Sequence, residues 1–368
     1  MLAQTPLHDW HAAHGGRMVD FAGWSMPVQY SSIVAEHRAT RSAVGLFDVS
    51  HMGRLVFSNH PANEQFLDRI VTRRVAGMKP GQVRYALVTN DEGGILDDVL
   101  VYRVPNNDGN SSFQLVVNAS NCQKILDWLV AHRGDKYVEI ADVTLDTAMI
   151  AGQGPRALEI VRPLVEVDAA RLPYYTCAET SICDTPGMVS RTGYTGEDGC
   201  ELIVPATIAL EVWDKLIPAA GQFGGMAAGL GCRDTLRLEA GMPLYGHELS
   251  ETIDPYQAGL GYAVNLEDRT FPGHDALVKL RDEPNRPRRA GWVMDGKRVP
   301  REGFAVCWGD TQVGHVTSGT FSPTLDRPIA MGYVRADLAE PGSQVTIEIR
   351  GSREPACAVK LPFYRRTS

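Results

Sequence analysis

Two adjacent carboxylates offer the first chemistry in this chain. Residues Asp91 to Val104 run from a Gly-Gly turn into a stretch of β-branched and apolar residues interrupted only by Asp97 and Asp98 before Tyr102 and Arg103. Side chains alternate on a strand, so Ile95, Asp97, Val99 and Val101 share one face, and Leu96, Asp98, Leu100 and Tyr102 the other. If both faces are covered, at least one carboxylate is desolvated and must be paired or carry a shifted pKa, which makes it a functional candidate. If the pair instead sits at a frayed strand start, both are solvated turn residues. The pattern does not choose between Asp97 and Asp98.

A second stretch, Ser190 to Val204, holds glycines at 193, 196 and 199 and then Glu201 at the head of a strand. This is G-x-x-G-x-x-G and not the dinucleotide fingerprint, which excludes a nucleotide cradle of that type. A carboxylate fixed at a strand start could accept two hydrogen bonds from an amidine-like ring edge such as a pterin; a plain glycine-rich hairpin explains the same residues. In a third stretch, Arg233 and Arg237 stand four apart on an expected helix, where an arginine fork could bind a carboxylate and where ion pairs with Asp234 or Glu239 are the ordinary alternative. His8, His11 and His14 invite a metal reading, but a spacing of three turns each about 60° further round a helix, so they would not converge on one ion. Ser50-His51 makes no triad, since adjacent residues do not meet as nucleophile and base.

The elements that must position these groups belong to a globular chain of 368 residues, long enough for two or three domains. With 36 Lys+Arg against 44 Asp+Glu the net charge is -8, which removes any overall attraction to nucleic acid or anionic membranes. Seven scattered cysteines without a C-x-x-C pair point to free thiols in a reducing compartment. No apolar run approaches the ~18 residues of a membrane span, and the first residues lack leader character, so a cytoplasmic location is expected. Helical spacing is expected over 31–44 and 208–219, and strands over 113–118 and 202–204. This irregular order favours antiparallel α+β domains over a doubly wound sheet. Residues 281–289 combine two prolines with clustered charge, the composition of a linker. Beyond it, short alternating segments predict a small all-β barrel or jelly roll.

Several stretches then fall in one order: Met18 to Tyr30, Gly45 to Gly53, Gly93 to Asp98, Gln153 to Pro155, Arg191 to Gly199, Arg233 to Gly241, Leu244 to Gly246 and Thr317 to Thr324. Together they resemble the glycine cleavage system T-protein family of tetrahydrofolate-dependent aminomethyltransferases, from about Thr5 to Arg365. The resemblance implies an α+β three-domain cloverleaf: two discontinuous antiparallel domains, 1–54 with 142–248 and 55–141 with 249–285, around a central folate channel, and a C-terminal β jelly-roll or barrel domain, 286–368. It implies transfer of a methylene from the aminomethylated lipoyl arm of an H protein to tetrahydrofolate, giving 5,10-methylenetetrahydrofolate, ammonia and the dihydrolipoyl arm. It also implies a functional link to the glycine decarboxylase and dihydrolipoyl dehydrogenase components, and no metal, nucleic acid or membrane.

By the same resemblance the catalytic carboxylate is Asp98. Glu201 grips the pterin edge, Tyr85, Tyr102, Asn118 and Tyr194 line the channel, Arg233 and Arg365 bind folate, and His51 and Met52 lie close by. Ala86, Leu361, Cys200 and Cys232 depart from the family pattern. Rival readings are a related demethylase of a small methylated compound and a non-catalytic folate-binding protein, whose relatives differ at these motifs. The basic residues Arg286, Arg288, Arg289, Lys297, Arg298 and Arg301 could help dock an acidic carrier.

Overall fold

The computed structural model describes residues 1–58, 60–105, 111–134 and 137–366. They form two compact units: Met1–Ala86, Asp98–Gly193 and Glu197–Arg233 make the first, and Leu87–Asp97, Tyr194–Gly196 and Asp234–Ser368 the second. The fold is mixed α/β with antiparallel sheets, as the irregular order of elements implies.

In the first unit a six-stranded sheet runs in the order Cys177–Ile182, Thr185–Ser190, Gly199–Pro205, Thr147–Gln153, Gly45–Asp48 and Met226–Ala227. All neighbours are antiparallel except the last pair. Alternation sets what each face does. Cys200, Leu202 and Val204 join a core with Ile150, Val212 and Trp213, which leaves Glu201 on the other face. The helix Ala209–Gly221 supplies Trp213 to that core, and the helix Ile33–Ser42 starts where the Ser32 hydroxyl accepts from the Ala35 amide at 3.1 Å.

A five-stranded sheet has the order Val83–Thr89, Ile95–Pro105, Ser111–Val117, Gly53–Phe57 and Ile140–Asp142. Both aspartates of the pair lie inside the strand Ile95–Pro105, which removes the solvated-turn reading. In the second unit the strands Arg288–Met294, Arg327–Val334, Thr311–Ser322, Ala305–Trp308, Gln344–Ile349 and Ser352–Val359 close into a barrel around Trp292, Val306 and Ile347. The barrel expected from short alternating segments is therefore present. The segment before it is anchored, unlike a free linker: Arg286 pairs with Asp254 at 2.6 Å, and the Arg289 amide and guanidinium donate to the carbonyls of Gln257 and Gly241. Arg298 pairs with Glu354 at 2.9 Å. Arg301 donates to the Gly319 carbonyl at 3.5 Å, so four of the six basic residues considered for carrier docking are already engaged within the protein.

The three histidines near the N-terminus go to separate partners. His8 bonds Asp9 and Ser25, and His14 bonds the Trp10 carbonyl. His11 is fully buried, with Nε2 2.9 Å from Asp48 and Nδ1 2.7 Å from the Tyr30 hydroxyl. Asp48 also accepts from the Thr5 hydroxyl at 2.6 Å and the Ser50 amide at 2.9 Å, so one carboxylate ties the N-terminal helix to the sheet. Among the described residues no group of three or more metal-ligating side chains is arranged to hold an ion.

Burial alone would raise the Asp48 pKa, but the bonds from His11, Ser50 and Thr5 outweigh it and hold the pKa at about 2. A depressed carboxylate stabilises the fold at every pH above its ordinary 3.8, and that contribution is lost as pH falls toward 2. Asp48→Asn is expected to cost about 2 kcal/mol at pH 7. In urea unfolding, its deficit against wild type should shrink between pH 4 and pH 2; a deficit independent of pH would contradict this account.

Candidate active site

Asp98 sits on the strand Ile95–Pro105, next to the strand that ends at Val117. Leu100 pairs with Val116 in this antiparallel ladder, so extending the register by two residues sets Asn118 opposite Asp98. The contacts agree. Asn118 Nδ2 donates to Asp98 Oδ1 at 2.7 Å and to its carbonyl at 3.2 Å, while the Tyr85 hydroxyl donates to Oδ2 at 3.1 Å. Asp97 points to the opposite face and is fully buried. Asp98 is enclosed by protein on most sides yet partly open to solvent. Desolvation raises its pKa by more than the Asn118 and Tyr85 bonds lower it.

Tyr102 lies four residues along the same strand face, about 13 Å from Asp98 at ordinary strand rise. Its hydroxyl is buried beside Glu201, Thr192 and Ser190. It makes no hydrogen bond of ordinary geometry among the described residues. Burial and the Glu201 charge raise its pKa by more than the neighbouring Thr192 and Ser190 hydroxyls lower it. Glu201 is itself buried, and its carboxylate receives one donor, the Thr192 hydroxyl, which is in turn 2.8 Å from Ser190 Oγ. Desolvation raises the Glu201 pKa, against the lowering effects of Thr192 and of the Arg233 charge. Arg233 also bears on His51, so it stands beside both residues.

His51 is 2% exposed, and its Nδ1 is buried with no hydrogen-bond partner among the described residues. Its pKa falls to about 3: burial is the main cause, the charges of Arg233 and Arg54 add to it, and Asp48 opposes. The ring is therefore neutral across the physiological range. The loop that carries it is fixed by Arg54, a fully buried residue that donates to the carbonyls of Ser50 at 3.1 Å and Met52 at 2.6 Å. Met52 is partly exposed.

The first unit therefore brings together Asp98, Tyr85 and Asn118 in one cluster and Tyr102, Glu201, Arg233 and His51 in another, joined by a single strand face. Tyr194 and Arg365 belong to the second unit. The Tyr194 hydroxyl donates to the Pro243 carbonyl, and Arg365 is exposed on the C-terminal segment. Arg237 takes the ion-pair alternative, with Asp234 at 2.9 Å and Glu248 at 2.7 Å. Of the family departures, Cys200 belongs to the core with its thiol pKa raised to about 12, and the Cys232 sulfur lies 3.9 Å from Thr40 Oγ1.

The glycine pattern around 193–199 serves close packing. A Cβ on Gly193 would meet Gln153 Oε1 at 2.0 Å, and Gln153 Nε2 donates to the Thr192 carbonyl at 3.1 Å. Arg191 closes the same loop through Asp198 at 2.6 Å and the Gly199 carbonyl at 3.0 Å. Sequence reasoning missed the roles of Thr192 and Arg54, although both lie within or beside the ordered stretches.

A strand face with a partly open carboxylate of raised pKa at one end and a buried carboxylate, phenol and imidazole at the other has the groups to bind a flat, polar ring and to move protons beside it. Comparisons with known proteins place the whole chain. Residues 7–268 match the GCVT N-terminal domain and residues 288–365 the glycine cleavage T-protein C-terminal barrel domain. An aminomethyltransferase of Geobacillus kaustophilus is 43% identical over 369 residues, covering all of both chains. One of Moorella thermoacetica is 43% identical, covering 99% of this chain and 98% of its own. The crystal structure of glycine cleavage system aminomethyltransferase T from Bartonella henselae superposes with a TM-score of 0.91 at 32% identity, covering 99% of this chain and 98% of that one.

These matches define an enzyme of the aminomethyltransferase class. The chain belongs to the glycine cleavage T-protein family.

The raised pKa of Asp98 carries a stability signature. Its proton is held more tightly in the folded state than in the unfolded one. Wild type is therefore penalised as pH rises from the ordinary carboxylate value through the folded one, and not below both. Asp98→Asn is expected to have a higher urea midpoint than wild type at pH 7, with the gain gone below about pH 4. A lower midpoint for the variant at pH 7 would refute the assignment of a destabilised carboxylate.

Proposed function

We propose that this enzyme transfers the methylene of an aminomethyl group from the lipoyl arm of an H protein to tetrahydrofolate, releasing ammonia and the dihydrolipoyl arm and forming 5,10-methylenetetrahydrofolate. The observation that carries the reading is the carboxylate of Asp98, raised in pKa, partly open, and held by Tyr85 and Asn118 on the strand face that also presents Tyr102 beside Glu201. The family relationship supports it. The reading includes three domains with boundaries near residues 54, 141, 248 and 285, and the closed barrel with its own core supports the last of these boundaries. Free thiols at all seven cysteines support a reducing, cytoplasmic location.

The residues fit a reduced pterin. Among the described residues Glu201 receives the Thr192 hydroxyl alone and so retains acceptor capacity for the amino edge of the ring, while His51 Nδ1, buried without a partner among them, is a polar atom that a polar ligand would satisfy. Tetrahydrofolate supplies the nitrogens that receive the one-carbon unit. The protein's own tasks are to orient, to exclude water and to manage charge. As ammonia leaves an S-CH2-NH3 group, positive charge develops on the carbon, and an ionised Asp98 stabilises it electrostatically in a poorly solvated setting. With its pKa raised, the same carboxylate can hold a proton at Oδ2, where the Tyr85 hydroxyl reports on and steadies its charge state. Asn118 fixes the other oxygen, so the carboxylate cannot rotate away.

The test is formation of methylenetetrahydrofolate and ammonia from aminomethylated, lipoylated H protein and tetrahydrofolate. Asp98→Asn is expected to lose at least about a hundredfold in kcat with the Kd for tetrahydrofolate nearly unchanged. Glu201→Gln should weaken tetrahydrofolate binding about tenfold. Folded wild type that binds tetrahydrofolate but never turns over with H protein would instead favour a demethylase or a non-catalytic folate binder.

A further inference from the structure

We propose that the buried Arg237–Glu248 pair is a positioning device for Tyr194, fixing the backbone carbonyl that orients this ring. The role of Tyr194 in ligand binding rests on the reading above. The contacts themselves do not.

Arg237 projects from the helix Leu230–Glu239 and is 2% exposed; Glu248 is fully buried. The guanidinium donates to Glu248 Oε2 at 2.7 Å, to the Met242 carbonyl at 3.1 Å and to Ser318 Oγ at 2.7 Å. Glu248 in turn accepts from the Leu244 amide at 3.0 Å and the Thr317 hydroxyl at 2.5 Å. The pair therefore holds the main chain on both sides of Pro243, at the carbonyl before it and the amide after it. Pro243 cannot change its own φ. Its carbonyl is immobilised, and it is the acceptor of the Tyr194 hydroxyl.

The hydroxyl contact anchors Tyr194 from outside its own glycine-flanked loop. Gly193 precedes it, and Gly196, at φ +80°, follows two residues later. Two consequences follow. The Tyr194 proton is committed to a carbonyl, so this phenol works through its ring face and not as a proton donor to the reaction. The ion pair also has a purpose beyond stability, for which buried pairs are poor devices compared with apolar packing.

The experiment compares full-length wild type, Glu248→Gln, the milder Thr317→Val, Tyr194→Phe and the Tyr194→Phe/Glu248→Gln double variant. Two quantities are read: the rate at which tetranitromethane nitrates Tyr194, mapped by peptide mass, and the Kd and kcat with tetrahydrofolate. Glu248→Gln should accelerate nitration of Tyr194 and raise Kd about tenfold, the scale of coupling within one hydrogen-bonded network, with kcat at saturation within about twofold of wild type. Thr317→Val should shift both in the same direction by less, and it decides the matter if Glu248→Gln does not fold. In the Tyr194→Phe background the Glu248 change should cost markedly less than it does alone. Unchanged nitration in the folded variants, or fully additive losses in the cycle, overturns the proposal. Wild type that fails to bind tetrahydrofolate counts against the ligand reading, and the nitration comparison still decides the clamp.

Discussion

The guanidinium of Arg54 is the contact on which the architecture of the first unit turns. The chain leaves the six-stranded sheet at Asp48 and enters the five-stranded sheet at Gly53, so four residues carry it from one sheet to the other. Arg54 donates to the carbonyls of Ser50 and Met52 in that crossing, and to the carbonyls of Thr144 and Thr147 and the Thr147 hydroxyl where the chain returns. A buried charge is expensive unless its donors are satisfied, and a planar fork with fixed donor directions tolerates few arrangements of acceptors. Burial lowers its pKa to about 10, against the opposing charges of Asp48 and Asp142. The cation therefore persists at neutral pH. It sets the crossing loop, and with it the imidazole of His51 between the two pinned carbonyls.

Against that frame the carboxylates divide by how many donors they receive. Asp48 has His11, Thr5 and Ser50, and Glu248 has Arg237, Thr317 and the Leu244 amide; both are held below the ordinary carboxylate range. Among the described residues Asp98 has the neutral side-chain donors Asn118 and Tyr85 and Glu201 has Thr192, and both are raised. Burial acts in the same direction on all four, so the difference lies in partners. A fold optimised only for stability would supply the missing donors. Where it leaves them out, the proton and the open acceptor are available to a ligand, which is why the deficit marks the site better than burial does.

Strand alternation made part of this legible from sequence. It set Asp98 and Tyr102 on one face, because a period of two is a local property. The pattern could not separate Asp98 from Asp97, since the decision rests on Asn118 lying across the ladder and Tyr85 on the neighbouring strand. Both are contacts of register, invisible to spacing along one segment. The histidines show the same limit. Helical geometry excluded a shared ion, yet nothing local reveals that His11 alone is buried on Asp48, 37 residues away. Thr192 and Arg54 were hidden for another reason: a threonine in a glycine loop and an arginine at a strand start are unremarkable until their acceptors come into view.

The tyrosines show how one residue type is given two tasks by its acceptor. Tyr85 donates to a carboxylate whose charge can change, so its hydroxyl is coupled to proton movement at Asp98. Tyr194 donates to a main-chain carbonyl, an acceptor of fixed charge, so its hydroxyl transmits position only. Tyr102 sits in a buried, electronegative setting beside Glu201, Thr192 and Ser190, where its pKa rises and the phenol stays protonated. A protonated phenol beside an undersupplied carboxylate offers one donor and one acceptor within the same small region. In the proposed reaction that pairing serves the edge of a ring carrying both functions, with ring recognition at the Glu201 end of the strand face and charge handled by Asp98 at the other.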